Sequence, residues 1–253
     1  MKFRKEMDRG LSRGDKTYFL LWGVGLGTLM MYNIPFLGIL GYPFILLGTW
    51  FHEMGHGLTA LMVGAQFNSL HILPNGSGYA NISSGSIWMN PSLGRVLIGL
   101  GGLVGPPIAG GILIVSGRQK RWSRVCLMLV AGMILLSFVF WLRSFWGILI
   151  LSLVVLLIGH TLWKGSPRRQ QLLVQFMGLQ ASLSTFLQVS YLFMDKAHVG
   201  GKVISSDTAD IADHSFGTYW MWGLTITFIT LGIIWYSFRL ATKDQIWFER
   251  KGN

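Results

Sequence analysis

Acidic side chains are scarce in this 253-residue chain, which sets ten Asp and Glu against twenty-one Lys and Arg and has one cysteine. The lone Cys126, inside an apolar run, excludes an intrachain disulfide and a zinc cage built from thiolates. Charge of either sign is thin. Only 12% of residues are charged and 51% are hydrophobic, with a mean hydropathy of +0.50, which excludes a soluble globule of this length. Repeats and low-complexity tracts are missing too, and no soluble appendage beyond loops and tails stands out.

What is present is a series of uncharged runs of membrane length. Glu53 is the only charged side chain between Lys16 and Arg95, and the stretches 125–142, 145–163, 170–194 and 214–238 contain none. A spanning helix needs about 20 apolar residues, which predicts crossings near 18–32, 36–64, 93–116, 125–142, 145–163, 172–194 and 219–239. The first two and the pair flanking Arg143 are the weakest, so the expected fold is an all-α polytopic membrane protein of about six transmembrane helices. The formal charge of +11 does not point to nucleic acid. Arg118, Lys120, Arg121 and Arg124 fall in one inter-helix loop and Lys164, Arg168 and Arg169 in another, which is the positive-inside pattern. The chain reads as a single integral-membrane domain over 1–253, with a basic cytoplasmic tail at 1–16 and no removable signal peptide.

The segment 65–92 is neither an apolar helix nor a charged loop. It runs through Asn68, His71, Pro74, Asn75, Gly76, Gly78 and Asn81 without one charge, and its Pro74-Asn75-Gly76 turn predicts a β-hairpin with Leu70 and Ile72 on one arm and Tyr79 and Ile82 on the other. Irregular backbone at bilayer depth survives only where protein or a watery cavity satisfies its peptide groups, so this membrane-associated hairpin should line a cavity. Charge-based topology then conflicts with the count of crossings. With the N-terminus and both basic loops on one side, an odd number of crossings must separate residue 16 from residue 93. Two expected resolutions follow: 65–92 carries the chain back across the bilayer, or an early helix is interrupted at Asn33-Ile34-Pro35 or Gly41-Tyr42-Pro43.

Chemistry is concentrated in Phe51-His52-Glu53-Met54-Gly55-His56-Gly57. Histidines at i and i+4 share a helix face and can both offer imidazole nitrogen to one Zn²⁺, with the intervening Glu beside the open side of the metal as general base. Five-residue matches arise by chance, but ionisable groups at bilayer depth are costly, which favours function over coincidence. A catalytic zinc takes three protein ligands. Outside the tails and Glu53, the remaining carboxylates are Asp195, Asp207, Asp210 and Asp213, and the remaining imidazoles His71, His160, His198 and His214. Asp207 and Asp210 sit on a Ser-Ser-Asp-Thr-Ala-Asp run that reads as a helix start capped by Ser206 or Asp207.

The HEMGH helix, the Asn75-Gly76-Ser77-Gly78 turn and the late Ser206-Asp207-Thr208-Ala209 string followed by Trp220 and Trp222 resemble the site-two protease family of intramembrane zinc metallopeptidases, in its compact branch without a PDZ domain. The resemblance implies His52, His56 and Asp207 as zinc ligands and Glu53 as the base. A substrate segment lying as an added strand beside the 65–92 hairpin is expected to bind around Asn75, Gly76 and Gly78. Thr208 departs from the Ser-Asp-Ala-like string of the compact branch, and Asp210 stays open as an alternative ligand.

The expected function is a zinc-dependent endopeptidase that cuts transmembrane segments of membrane-protein substrates in the bilayer of the cell (plasma) membrane. Two other classes are consistent with a zinc site: a non-proteolytic binding or chaperone module, disfavoured by the intact base, and a metal transporter, disfavoured because the ligands cluster at one helix rather than stepping across the membrane. His71 reads as an interfacial histidine, His160 as a headgroup-level residue, and His198 and His214 as surface loop residues in an expected loop at 195–218. The Gly101 and Gly105 pair reads as close helix packing, and Pro106-Pro107 predicts a bend or break in its crossing.

Overall fold

The computed structural model describes residues 23, 25–28, 30, 38–83, 85, 87–187 and 189–250. Helix α1 (Gly38–Met62) leads into strands β1 (Gln66–Ile72) and β2 (Gly78–Ser83); helices α2 (Pro91–Ser116), α3 (Lys120–Phe140), α4 (Phe145–Lys164) and α5 (Pro167–Leu187) follow. The rest is the one-turn α6 (Val189–Leu192), strands β3 (Lys196–Val199) and β4 (Lys202–Ser205), the short α7 (Asp207–His214) and α8 (Tyr219–Arg250). Among the described residues, four helices are long and apolar enough to cross a membrane: α2, α3, α4 and the Tyr219–Thr242 part of α8. They expose Leu129, Val139, Leu156, Phe228 and many other large apolar side chains, as a lipid-facing surface does and an aqueous one does not. The chain is therefore a mostly helical, polytopic membrane protein.

Helix α5 turns its polarity inward. Gln170, Gln175, Gln180, Ser182, Ser184 and Thr185 are all buried, and the helix packs against α2, α3 and α1. Small residues permit this closeness: Gly110 and Gly178 face each other's backbone, and Gly48 faces Ser184. Thr185 also answers an expectation about the prolines. Helix α2 continues through Pro106 and Pro107 instead of breaking. Pro107 lacks the N–H that would bond to the Leu103 carbonyl, and the Thr185 hydroxyl donates to that carbonyl across the helix interface at 3.5 Å, a substitute of the kind that keeps proline tolerable inside a membrane bundle.

The predicted hairpin is present. β1 and β2 pair antiparallel, with Leu70 opposite Ala80, His71 opposite Tyr79 and Ile72 opposite Gly78. Its turn holds Gly76 at φ +89, a conformation that costs glycine little, and Asn75 Oδ1 accepts bonds from the Ser77 N–H and hydroxyl. Phe67, Leu70 and Ile72 are buried in a core with Leu46, Trp50 and Leu127. The far edge of β1 is covered, since Leu70 N–H bonds the Trp141 carbonyl and Arg143 N–H bonds the Leu70 carbonyl.

The hairpin does not carry the chain across the bilayer, which removes one of the two topological options. It leaves α1 at its C-terminal end and comes back to it there, where Trp88 N–H bonds the Val63 carbonyl. In between, its turn reaches back along α1 to Tyr42, whose hydroxyl donates to the Pro74 carbonyl. α2 then runs antiparallel to α1. Helix α1 is also uninterrupted at Gly41-Tyr42-Pro43; Asn33-Ile34-Pro35 and the tail at 1–16 lie outside the described residues.

Residues 195–218 are not the loop that was expected. β3 and β4 form a second antiparallel hairpin, with Lys196 opposite Ser205 and Val199 opposite Lys202, closed by Gly200 and Gly201 at φ +59 and +76. Two consecutive positive-φ residues are what a type I′ turn requires, and the hairpin delivers the chain directly into α7.

Candidate metal centre

His52 and His56 lie one turn apart on α1, with ring centroids 4.6 Å apart. The second ring is fixed from behind. His56 Nδ1 donates to the Ile98 carbonyl of α2 at 2.8 Å, which leaves Nε2 as the free lone pair, the outer support typical of metal-bound histidine. Close approach of α2 makes that bond possible. A side chain on Gly102 would overlap the His56 ring, one on Gly101 would strike Thr59 and the Gly55 carbonyl, and one on Gly105 would press on the Gly55 Cα, so the Gly101 and Gly105 pair does serve close packing of α2 on α1.

Asp207 reaches the same point from the other end of the chain. Ser206 caps α7, its hydroxyl accepting from Ala209 N–H at 3.2 Å and donating to the Met194 carbonyl. Thr208 Oγ1, in the place of the departure from the family string, is buried and donates to the Leu192 carbonyl at 3.0 Å. At the far end of α7, His214 Nδ1 donates to the Asp210 carbonyl at 2.8 Å and Nε2 accepts from Arg95 of α2 at 3.3 Å. His214 is thus a tie between α7 and α2, not a loose surface residue. Asp210 takes part in this rim cluster, where burial pushes its carboxyl up and His214 and Arg95 oppose the shift, and it does not join the histidines.

Asp207 Oδ2 lies 3.0 Å from His52 Nε2 and 3.2 Å from His56 Nε2, and the two imidazole nitrogens are 3.1 Å apart. Ligands at zinc–nitrogen and zinc–oxygen distances of 2.0–2.1 Å in a tetrahedron are separated by about 3.3 Å. The triangle is within a few tenths of an ångström of one face of that tetrahedron, so nitrogen, nitrogen and carboxylate oxygen suit zinc in both chemistry and spacing. Burial alone would raise the Asp207 carboxyl, but His56 and His52 hold it well below the usual carboxylate range, which keeps it ionised as a ligand must be. Among the described residues, His52, His56 and Asp207 are the group of this kind.

Glu53 is buried, and the Ala80 N–H of β2 faces its carboxylate. A cavity of about 240 Å³ opens beside it. Its walls are His52 and Glu53 of α1, Ser77 and Gly78 of the first hairpin, Tyr191 of α6, and Met194, Lys196, Ala197, His198 and Val199. Of the three residues expected to bind substrate, Gly78 lines this cavity: a Cβ there would meet Thr49, the His71 carbonyl and Glu53. Asn75 and Gly76 do not. They shape the turn, where the Gly76 carbonyl accepts from the Thr49 hydroxyl. His71 is stacked on Tyr79 with ring centroids 4.7 Å apart, while His198 is exposed as expected and also lines the cavity.

Tyr191 was missed by sequence reasoning. Its ring meets that of His52 edge-on at 6.5 Å, and its hydroxyl faces the carboxylate and N–H of Asp207. Sixteen residues before Asp207, in an apolar run, it looks like any interfacial tyrosine, and no spacing rule would have singled it out.

The sequence model of one family, described as Peptidase M50B-like, matches residues 23–237. No curated protein matches the chain, and no solved structure does.

Proposed function

The chain belongs to the Peptidase M50B-like family, and we propose that it is a zinc-dependent intramembrane endopeptidase that hydrolyses peptide bonds in or near the transmembrane segments of other membrane proteins. The observation that carries this reading is the convergence of His52, His56 and Asp207 on one point beside the buried Glu53. The family supplies the metallopeptidase class, and the donor set supplies the case for zinc. The cell membrane is the proposed location.

Zinc, when bound by His52, His56 and Asp207, supplies Lewis acidity at the scissile carbonyl and lowers the pKa of the water it holds towards about 7. Glu53 takes the proton from the attacking water and returns it to the leaving amine. The Ala80 N–H orients that carboxylate. Ser77 and Gly78 present peptide groups at the mouth of the cavity, so an extended substrate segment adds beside the first hairpin through backbone bonds that demand no particular sequence.

The test is zinc content and cleavage of a panel of model transmembrane substrates by purified protein. Glu53→Gln should lower cleavage by about 10²–10⁴-fold while leaving zinc in place, and Asp207→Ala should lose both. Zinc bound with no substrate cleaved would favour a binding module instead. Absence of zinc under saturating conditions would defeat the proposal.

A further inference from the structure

The second hairpin contributes to the cavity in a way that its sequence does not advertise. Lys196, Ala197, His198 and Val199 all line it. Successive side chains of a strand point to opposite faces, so a cavity bounded by four consecutive residues meets β3 along its edge. That edge is the one not paired with β4. The tip of the hairpin closes on the first one, since a Cβ at Gly200 would be in van der Waals contact with Leu73 and Tyr79. A peptide segment in the cavity therefore has β2 on one side and β3 on the other.

The two walls differ in charge. The first hairpin is neutral throughout 65–83. The second brings Lys196 and His198, two residues apart and so on one face. Among the described residues, Lys196 is the only lysine or arginine lining the cavity, and it has no ion-pair partner. Glu53, the one carboxylate on the cavity wall among the described residues, is buried and faced by Ala80. Lys196 is exposed at the margin of the cavity, where its ammonium is free to meet an incoming carboxylate at close range.

We infer that the β3–β4 hairpin is the second wall of the peptide groove, and that Lys196 with His198 forms a subsite for an acidic side chain close to the scissile bond. This inference rests on the protease reading above and adds a substrate class to it: membrane proteins with Asp or Glu beside the cleaved segment. Backbone pairing provides hold, and the charge provides choice among otherwise similar apolar segments.

The experiment uses the full chain with zinc bound and pairs of model transmembrane substrates that differ only by Glu against Gln, scanned over four positions on each side of the cleaved bond. The readout is the ratio of kcat/KM for Glu over Gln in wild type, Lys196→Gln and Lys196→Glu, with zinc content as the folding control. In wild type the ratio should exceed about fivefold at one or two adjacent positions, fall towards one in Lys196→Gln and invert in Lys196→Glu, with the change in KM. Cleavage of both members of every pair at equal rates in wild type, or a preference untouched by both variants, overturns the subsite and leaves the protease standing. If zinc is bound and neither member of any pair is cleaved, the protease reading fails and takes this inference with it.

Discussion

Gly102 governs the metal site by having no side chain. A Cβ at that position would stand 2.1 Å from His56 Nε2, and the ring cannot retreat because Nδ1 is bonded to Ile98 and the α1 and α2 backbones already touch at Gly55 and Gly101. Gly102→Ala is expected to weaken zinc binding at least about tenfold, the lower range for disturbing the outer support of a metal ligand; titration with a competing chelator would measure it. Unchanged affinity would mean that α2 can back away. Tyr191→Phe removes only the hydroxyl that faces Asp207. It should weaken zinc binding about tenfold with little change in thermal stability, whereas Phe at wild-type affinity would mean that the hydroxyl does nothing for Asp207.

At the scale of elements, α7 has the task of presenting one carboxylate, and an eight-residue helix is too short to hold itself in water. Its order depends on the Ser206 cap and on the tie from His214 to Arg95. Ser206→Ala should cost about 1 kcal/mol, read as a roughly fivefold loss of zinc affinity. Arg95→Ala, acting at the other end, should combine with it more than additively in a double-mutant cycle, because both hold the same helix. Simple additivity would place the two ends in independent units.

The elements also mark what could be read without coordinates. The HEMGH helix, the Pro74-Asn75-Gly76 hairpin and the four apolar crossings were legible because each rests on a local rule: i,i+4 spacing, positive-φ turn chemistry, hydropathy. Ser206 was legible as a cap for the same reason, and Asp207 came from family likeness. The second hairpin was overlooked although Val199-Gly200-Gly201-Lys202 carried the signal for a two-residue turn; strands of four residues are too short for alternation to show. The continuity of α2 through Pro106-Pro107 was not legible at all, since the group that bonds the freed carbonyl, Thr185, is far away in sequence. Tyr191 and the cavity-facing Lys196 depend on tertiary placement in the same way.

At the scale of the molecule, the candidate ligands join α1 to α7, helices that are far apart in the chain. Metal removal should therefore act unevenly. With zinc present at about 100 times its dissociation constant, binding stabilises the fold by about 2.7 kcal/mol, and chelation should lower the melting temperature accordingly. Hydrogen exchange after chelation should rise first in α7 and the β3–β4 hairpin, while the interior of α2 and α5 stays protected. A uniform rise across all helices would show that the metal stabilises the bundle as one cooperative unit.

The separation of the ligands along the chain also has a bearing on biosynthesis. Asp207 follows His56 by 151 residues, and α2, α3, α4 and α5 lie between them. At translation rates of about 5–20 residues per second, the histidine pair waits roughly 8–30 s in the membrane before its carboxylate partner is made. During that interval the nascent chain has a base and two histidines but no closed site. On the proposed function, the order of the chain would keep such a protease idle among membrane segments until the Asp207 helix had been made.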